Sequence, residues 1–319
     1  WTARPALPSA PAFLLEAPYP GNTRAEKLAM IRKTMREKLA DHHLMTSLDD
    51  IAWTFNLRGR DVAFNPLVVA HALVSQTSAT LYMDAGKLDE KSIAELAKDH
   101  IQIQPYSQIV ADLNHLSAGQ TVLVEAATIN TTLYKAINGQ LLHGDAPARI
   151  AKGVKTASEI EHLRATMVKD GVALVKAFKW LEDNLGKTTI TEAGFGDIIA
   201  QFRSEQEAYQ GESFNAIVGY QSNGAIVHYH PDHHNSAEIK PEGILLVDCG
   251  GQYLGGTTDI TRTIALSKPD QQQQRHYTLV LKGHIAIARV IYPEGTCGAQ
   301  LDVLARQFLW QHGLNYLHG

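Results

Sequence analysis

Two aspartates are the residues whose type and spacing suggest chemistry. Asp248 ends the apolar run Ile244–Val247, and Asp259 lies in a second strand-like segment between polar residues and Ile260. A carboxylate buried at the end of an apolar strand costs several kcal/mol unless another group compensates it. We therefore expect both carboxylates to have a partner, and a metal ion is one such partner.

The chain between the two aspartates is expected to form a hairpin. Glycines cluster near the bend, at Gly243, Gly250, Gly251, Gly255 and Gly256. If the strands pair about a centre between Tyr253 and Leu254, Asp248 lies opposite Asp259, with Cβ atoms about 4.5–5.5 Å apart. Two carboxylates at that distance either share a proton or hold a cation. The spacing alone also fits two independent structural aspartates, one capping a turn and one pairing with Arg262.

A histidine-rich segment, His228–His234, precedes the hairpin. Its spacing matches none of the common zinc-ligand patterns, and adjacent side chains of an extended segment point in opposite directions. We expect a solvated loop for three of its histidines, namely His230, His233 and His234. His228 differs because it ends a predicted apolar strand, Ala225–His228, where its imidazole could donate to a developing oxyanion or orient a carbonyl.

Caps and periodicity predict the elements that position these residues. The capping boxes Thr23-x-x-Glu26 and Thr156-x-x-Glu159 each begin a helix, the second running to about Asn184. Helices are also predicted to begin at Ser47 and Ser92 and to cover Gly194–Arg203, Tyr277–Ile291 and Gly298–Gly313. Predicted strands are Thr80–Met83, Thr121–Val124, Phe214–Val218, Ala225–His228, Ile244–Asp248 and Thr258–Ala265. Strands and helices alternate through about residue 150, which indicates a mixed α/β (α+β) fold.

Length and composition indicate a two-domain protein. We expect a connector over residues 1–20, one domain over 21–150 and a second over 151–319, since 319 residues exceed one typical core. No Lys/Arg run is long or concentrated enough to follow a phosphate backbone, so nothing indicates a nucleic-acid surface, and no apolar run is long enough for a membrane span. Two cysteines cannot build a disulfide framework, which favours a reducing compartment, the cytoplasm. The first residue, Trp1, is not Met, so the chain is expected to begin inside a longer or processed protein.

The segments NGAIVHYHP, LLVDCGGQYLGGTTDITRT and YLHG resemble those of the pita-bread metallopeptidases, and within them the Xaa-Pro aminopeptidases (aminopeptidase P). Leu48–Pro66 is similar to the middle domain of the long three-domain form. Lys155–Glu182 is similar to the first helix of its catalytic domain. The resemblance implies a creatinase N-terminal-like domain with a mixed sheet, followed by an incomplete pita-bread domain. The family's first domain and the C-terminal half of its catalytic domain would be absent.

The resemblance also implies roles for five residues. The family holds two divalent ions, usually manganese, with two Asp, one His and two Glu. Asp248 and Asp259 match the two Asp ligands. His228 matches the substrate-contacting histidine, and His318 matches a histidine beside the metals that does not ligate them. Phe214 falls where an aromatic residue borders the site.

The chain stops inside the family's HGTGHG motif, so the ligating His and both Glu are absent. The resemblance therefore implies that this chain is inactive and binds metal weakly or not at all, with zinc or cobalt as alternatives to manganese. The complete protein is expected to be a homodimer that removes the N-terminal residue from peptides with proline second, through a bridging hydroxide. Two alternatives stay open: a catalytically silent peptide- or protein-binding module, and a prolidase acting on Xaa-Pro dipeptides.

Overall fold

A computed structural model describes residues 2–318, which divide into two compact units. The first unit comprises the chain up to Lys176 together with Ala200–Asn215 and Cys249–Asp259. The second comprises Ala177–Ile199, Ala216–Asp248 and the chain from Ile260 onward. Within residues 2–318, no helix combines the length and the apolar character needed to cross a membrane.

The helices and strands are as follows. The helices are α1 Arg24–Glu37, α2 Leu48–Thr54, α3 Glu90–Lys98, α4 Ile109–Asn114, α5 Thr131–Ala136, α6 Pro147–Gly153, α7 Ala157–Asn184, α8 Glu192–Ser204, α9 Gln271–Arg289 and α10 Gly298–Trp310. The strands are β1 Phe13–Leu14, β2 His42–Met45, β3 Leu57–Arg58, β4 His71–Ser75, β5 Ala79–Tyr82, β6 Ile101–Gln104, β7 Thr121–Val124, β8 Gln140–His143, β9 Tyr209–Glu212, β10 Ile217–Tyr220, β11 Ile244–Cys249, β12 Gly251–Tyr253, β13 Gly256–Thr257 and β14 Ile260–Ala265. Short 3₁₀ turns occur at Ala85–Lys87, Tyr106–Gln108 and Gln221–Ala225.

The first unit contains a six-stranded mixed sheet in the order β6-β5-β4-β2-β7-β8. Strand β4 is antiparallel to both β2 and β5, whereas β2, β7 and β8 run parallel, as do β5 and β6. Helices connect the parallel strands, as such crossovers require. The mixed α/β fold is thus confirmed.

Both faces of this sheet are buried, because successive side chains of a strand point to opposite faces. On β2, Leu44 packs into one apolar cluster and Met45 into another. On β7, Val122 joins the first of these clusters and Leu123 the second. Helices α4 and α5 cover the first face, and α1 covers the second with three fully buried side chains, Leu28, Ile31 and Met35. The sheet therefore lies between two helical layers.

Both predicted capping boxes are present. At α1 the Thr23 hydroxyl accepts from Glu26 N at 3.2 Å, and Glu26 Oε2 accepts from Thr23 N at 2.8 Å. At α7 the reciprocal bonds between Thr156 and Glu159 measure 3.2 and 2.8 Å. Helix α7 ends at Asn184, as predicted. Local side-chain-to-backbone bonding of this kind acts over three residues, which is why sequence alone reveals it.

The predicted start of the third helix at Ser92 is wrong by one turn. Asp89 is the N-cap of α3, and its carboxylate accepts from Ser92 N at 2.8 Å. Ser and Asp are comparably good N-caps, so the sequence is compatible with a helix that begins after Asp89 or after Ser92. The Asp89 carboxylate, one turn earlier, caps the helix, and Ser92 therefore lies inside it.

His43 carries the clearest pH-sensitive contribution to stability in the first unit. It is 1% exposed on β2, and burial lowers its pKa from 6.5 to about 4, although a bond from Nδ1 to the Leu123 carbonyl opposes this. The unfolded chain takes up a proton near pH 6.5, whereas folded His43 stays neutral until about pH 4. Stability is therefore lost as the pH falls from 6.5 to 4, by about 3 kcal/mol at 1.36 kcal/mol per pKa unit, and falls no further below pH 4.

We expect the His43→Leu variant to lose this component of the pH dependence. Urea unfolding at several pH values between 4 and 7, compared with the wild type, measures it. His115→Leu, at an exposed position of the same unit, is the control and should retain the wild-type slope. Parallel pH profiles for wild type and His43→Leu would contradict the assignment.

The second unit contains a three-stranded sheet in the order β10-β11-β14, and helices α9 and α10. Strands β10 and β11 are antiparallel, with Ile217 opposite Asp248 and Tyr220 opposite Leu245. The two helices approach closely at Gly283, where a Cβ would lie 2.2 Å from the Ala305 carbonyl oxygen. The absence of a side chain there allows the backbones to pack.

Candidate functional site

Asp248 lies near the end of β11, on the less buried face of that strand. Leu245, Val247 and Cys249 point to the buried face, and Asp248 is half-buried on the other. Its Oδ1 accepts a hydrogen bond from the Thr261 hydroxyl of β14 at 2.7 Å. This bond orients the carboxylate and leaves its second oxygen for another partner.

The hairpin centre predicted between Tyr253 and Leu254 is wrong. Strands β12 and β13 pair Gln252 with Thr257 and Tyr253 with Gly256, so the turn is Leu254-Gly255. Glycines lie on both sides of the bend, so the sequence does not distinguish a turn centred between Tyr253 and Leu254 from one centred between Leu254 and Gly255. In the observed register Gly256 packs against α7, where a Cβ would lie 2.7 Å from a methyl carbon of Leu163.

Strands β11 and β14 of the second unit are neighbours in their own sheet, and one backbone bond gives their register. Leu266 N donates to the Gly243 carbonyl at 2.9 Å, which places position 261 opposite Asp248. The Thr261 hydroxyl bond to Asp248 agrees with this pairing. Thr261, not Asp259, is therefore the cross-strand neighbour of Asp248, two residues from the predicted position.

Asp259 lies at the end of the first unit, directly before β14, and is exposed. The expectation that it is buried is wrong. Its neighbour Thr258 takes the inward position, 1% exposed, and its hydroxyl accepts from Gly251 N at 2.9 Å. Adjacent side chains of an extended chain point in opposite directions, so Asp259 points outward. Its role as a metal ligand stays a prediction.

Gly250, which follows Asp248 by two residues, permits a close backbone approach in the first unit. A Cβ there would lie 1.9 Å from the Thr258 carbonyl oxygen and 2.3 Å from the Ser213 hydroxyl. The Gly250 carbonyl also accepts from Ser213 N at 2.9 Å. Only glycine fits this position, which keeps the chain that leads to Asp259 against β9.

His228 does not end a strand, so the predicted strand Ala225–His228 is wrong. The chain turns through Gln221–Ala225, and Tyr229 N donates back to the Ile226 carbonyl at 3.1 Å. The chain can reverse here because Gly219 of β10 has no side chain. A Cβ on Gly219 would lie 2.7 Å from Gly224 Cα. His228 is exposed and has a left-handed backbone, with φ +58°.

The structure brings His228 and His318 together. Their ring centroids are 5.2 Å apart and the planes are nearly perpendicular, at 83°. Arg306 of α10 helps to place His318, because its guanidinium donates to the carbonyls of Tyr316 at 2.6 Å and His318 at 3.2 Å. Two histidines distant in sequence thus share one location in the second unit.

The other three histidines of the segment are exposed, as predicted, at His230, His233 and His234. His233 lies 3.4 Å from Asp197, and both side chains are 66% exposed. Such a surface pair is worth about 1 kcal/mol or less. A solvated loop describes them adequately.

Phe214 lies in the bend after β9, in the first unit, and is half-buried. The predicted strand Phe214–Val218 is shifted, since β10 begins at Ile217. The same unit has a cleft of about 270 Å³ whose lining includes Phe13, Arg60 and Phe64. None of the five predicted site residues lines that cleft, so it is a poor candidate for the reaction site.

Sequence reasoning missed three residues that organise the second unit. Thr261 orients Asp248, Arg306 holds the His318 backbone, and Glu192 lies fully buried at the start of α8. Sequence reasoning could have identified Thr261 as the partner of Asp248 only with the correct strand register. A buried glutamate in the first helical turn looks like an ordinary helix-start residue in the sequence.

The described residues do not by themselves fit a metal centre. Among residues 2–318, no group of three or more His, Cys, Asp or Glu side chains is arranged to hold an ion. Structural and catalytic sites usually need at least three protein ligands. Asp248 and Asp259 are therefore carboxylates that could contribute to such a centre, not a centre of their own.

Comparisons with known proteins identify two families. Residues 3–159 match the creatinase/prolidase N-terminal domain, and residues 161–319 match metallopeptidase family M24. A probable Xaa-Pro aminopeptidase P from Neurospora crassa is 41% identical over 331 residues, covering 99% of this chain and 48% of the relative. Its counterpart from Tuber melanosporum is 40% identical, covering 100% of this chain and 54% of the relative. The chain thus spans about half the length of the curated relatives that it matches.

Solved structures agree. The X-prolyl aminopeptidase of Caenorhabditis elegans, described as a cytosolic enzyme with a di-nuclear active site, matches with a TM-score of 0.93 and 33% identity, over 100% of this chain and 53% of that one. A Xaa-Pro dipeptidase from Bacillus anthracis matches at 20% identity and a TM-score of 0.69, over 91% of this chain and 78% of that one, which is a likeness of fold. The chain therefore belongs to metallopeptidase family M24 through residues 161–319, preceded by a creatinase/prolidase N-terminal domain at residues 3–159.

Proposed function

We propose that the protein containing this chain is a metal-dependent Xaa-Pro aminopeptidase, which removes the first residue from peptides with proline in second position. The similarity to the C. elegans X-prolyl aminopeptidase carries this proposal, because it extends over the whole chain at 33% identity. Dipeptidases match at about 20% identity or less and share only the fold. The aminopeptidase reading is therefore favoured over a prolidase.

In this proposal Asp248 and Asp259 each contribute a carboxylate to a centre for two divalent ions. Oxygen ligands suit manganese, with zinc or cobalt as alternatives. When bound, such ions would supply an activated hydroxide and polarise the scissile carbonyl. The Thr261 hydroxyl holds one oxygen of Asp248, which supports a fixed orientation of that carboxylate. A fixed ligand loses less entropy on binding.

His228 and His318 are proposed to act on the substrate carbonyl. An imidazole N–H donates a hydrogen bond, and two donors within reach of one oxygen would stabilise the charge that develops on it. The 5.2 Å contact between the rings supports joint action. Proline in second position has no amide N–H and a fixed φ, so a site that needs neither that donor nor backbone freedom accepts it. Phe214 is proposed to border the substrate.

Cleavage assays on the whole protein test the function. We expect release of the first residue from Xaa-Pro-Xaa tripeptides with Mn²⁺, and little from the same peptides with alanine second. Cleavage restricted to Xaa-Pro dipeptides would instead indicate a prolidase. Tight peptide binding without turnover would indicate a silent binding module. The proposal also includes a cytoplasmic location and a homodimer, which fractionation and light scattering check.

The chain of residues 1–319 alone is expected to bind Mn²⁺ weakly or not at all. Its two candidate carboxylates fall short of the ligand number that divalent ions need. Isothermal titration calorimetry with Mn²⁺ measures the affinity. The Asp248→Asn variant shows whether any binding heat that is observed depends on the Asp248 carboxylate. Two tight sites on this chain would overturn the expectation.

A further inference from the structure

Glu192, the first residue of α8, is fully buried, 0% exposed, in the second unit. Its carboxylate accepts four close hydrogen bonds: from Tyr220 N at 2.7 Å, Asn223 Nδ2 at 3.0 Å, Tyr229 OH at 2.8 Å and Ala237 N at 2.9 Å. Hydrogen bonds to a charged group are stronger than those between neutral groups. A buried carboxylate with this many donors is a strong anchor.

The four donors all belong to one segment, Tyr220–Ala237, which carries His228. Tyr220 begins the segment at the end of β10, and Ala237 closes it. Between them the segment has no strand, only the 3₁₀ turn at Gln221–Ala225 and further turns. One carboxylate therefore ties together both ends of a long irregular segment, and two positions within it.

Two of these anchors flank His228. Asn223 precedes it and Tyr229 follows it directly, and the two side chains also bond to each other at 3.0 Å. The left-handed backbone at His228, with φ +58°, is unfavourable for a residue other than glycine. Such a conformation persists only where the surroundings hold it. The bonds to Glu192 provide that constraint on both sides of His228.

We propose that Glu192 is a positioning residue that fixes His228 for the aminopeptidase reaction, an inference that rests on the function proposed above. Glu192 is fully buried, so we do not assign it a direct contact with the substrate. It acts through Asn223 and Tyr229, which hold His228 beside His318. A displacement of about 1 Å in a reacting group can cost about 100-fold in rate, so loosening the segment lowers turnover.

Only a carboxylate satisfies this set of donors. Tyr220 N and Ala237 N are backbone groups that can only donate, and they contact different oxygens of Glu192, Oε1 and Oε2. In Glu192→Gln one oxygen becomes an NH₂ group, which only donates. Whichever way the amide is turned, one backbone N–H loses its acceptor. The substitution therefore loosens one end of the segment with little change in volume.

The test combines hydrogen exchange and kinetics on the whole protein. We expect Glu192→Gln to speed amide exchange within residues 220–237 and to lower kcat by about 10- to 100-fold, with a smaller change in KM. Glu238→Gln, an exposed glutamate next to the same segment, makes the same chemical change and should match the wild type in both. Tyr229→Phe keeps the carboxylate and removes one donor beside His228, so a several-fold fall in kcat is expected even if Glu192→Gln folds poorly.

The outcomes separate this inference from the proposed function. Faster exchange with wild-type kcat in the folded fraction would show that Glu192 is structural only and would overturn the positioning role. Unchanged exchange would overturn the anchoring itself. If the wild-type protein releases no residue from Xaa-Pro-Xaa peptides, the proposed function fails and the catalytic part of this inference fails with it. Exchange in residues 220–237 then still decides whether Glu192 anchors the segment.

Discussion

In the complete protein, Asp259→Asn is expected to abolish release of the first residue from Xaa-Pro-Xaa peptides, a fall of at least about 10²–10³-fold in kcat. An amide keeps the size of the side chain but removes its negative charge, and the charge of the ligands helps to set the affinity for a divalent ion. Because Asp259 is exposed, its substitution should leave the fold intact. Tripeptide cleavage assays with Mn²⁺ in excess, together with circular dichroism, measure both effects.

Asp183→Asn is the matched control for that variant. Asp183 is also exposed, 55% for its side chain, and pairs with Lys179 on the surface of α7. It should retain wild-type activity, because a surface ion pair contributes about 1 kcal/mol or less. Near-normal turnover by Asp259→Asn would refute the ligand role of Asp259. Asp248→Asn should lose activity to a similar degree.

The second large effect is expected on stability: Arg203→Met should lower the free energy of unfolding by about 3–5 kcal/mol. Arg203 is 0% exposed in the first unit. Its guanidinium donates to both oxygens of Asp170, at 2.8 and 3.1 Å, and to Glu212 at 3.1 Å. Removing it leaves a fully buried Asp170 without its counter-charge. Urea unfolding followed by fluorescence measures the loss.

The surroundings of Arg203 explain why the cost is large. Burial works against its charged form, but the Asp170 bonds and the neighbouring negative charges outweigh this and raise its pKa. Burial raises the pKa of Glu212 despite Arg203, and raises that of Cys249 to about 11. Tyr253 adds a bond to Asp170 at 3.0 Å. The whole network depends on one guanidinium.

Lys176→Met is the control for the stability prediction. It breaks the ion pair with Glu205, whose side chains are 46% and 44% exposed, and should cost about 1 kcal/mol or less. A similar small loss in Arg203→Met would mean that water or structural relaxation compensates Asp170. The buried network would then contribute little to the stability of the first unit.

The candidate site was only partly predictable from sequence. His228 and His318 were both predicted from the sequence as site residues. Their ring centroids lie 5.2 Å apart, which agrees with a shared location. The secondary structure around His228 was wrong, because the apolar run Ala225–Val227 satisfies a strand pattern but has no strand partner in the described chain. Strand propensity depends on neighbours across the sheet, which a local pattern does not contain.

The hairpin shows the same limit in another form. Glycines near Leu254 predicted a tight turn, and the turn exists. Its centre differs by one residue from the prediction, and in the second unit the cross-strand neighbour of Asp248 is Thr261. In strands, such shifts alter which side chains face each other, and burial of one face sets the register. The observed register places Gly256 against Leu163 of α7, a contact between residues far apart in the sequence that the glycine pattern does not contain.

The sequence by itself determined the capped helices at Thr23 and Thr156, the mixed α/β class, and the motifs that carry the family. These features depend on interactions within a few residues or on residue identity, so they can be predicted without knowing the tertiary structure. Tertiary structure decided the exposure of Asp259, the register at Asp248 and the anchoring of His228 by Glu192. Each of these depends on which distant segments meet, and burial of those segments, not their local pattern, sets the contact.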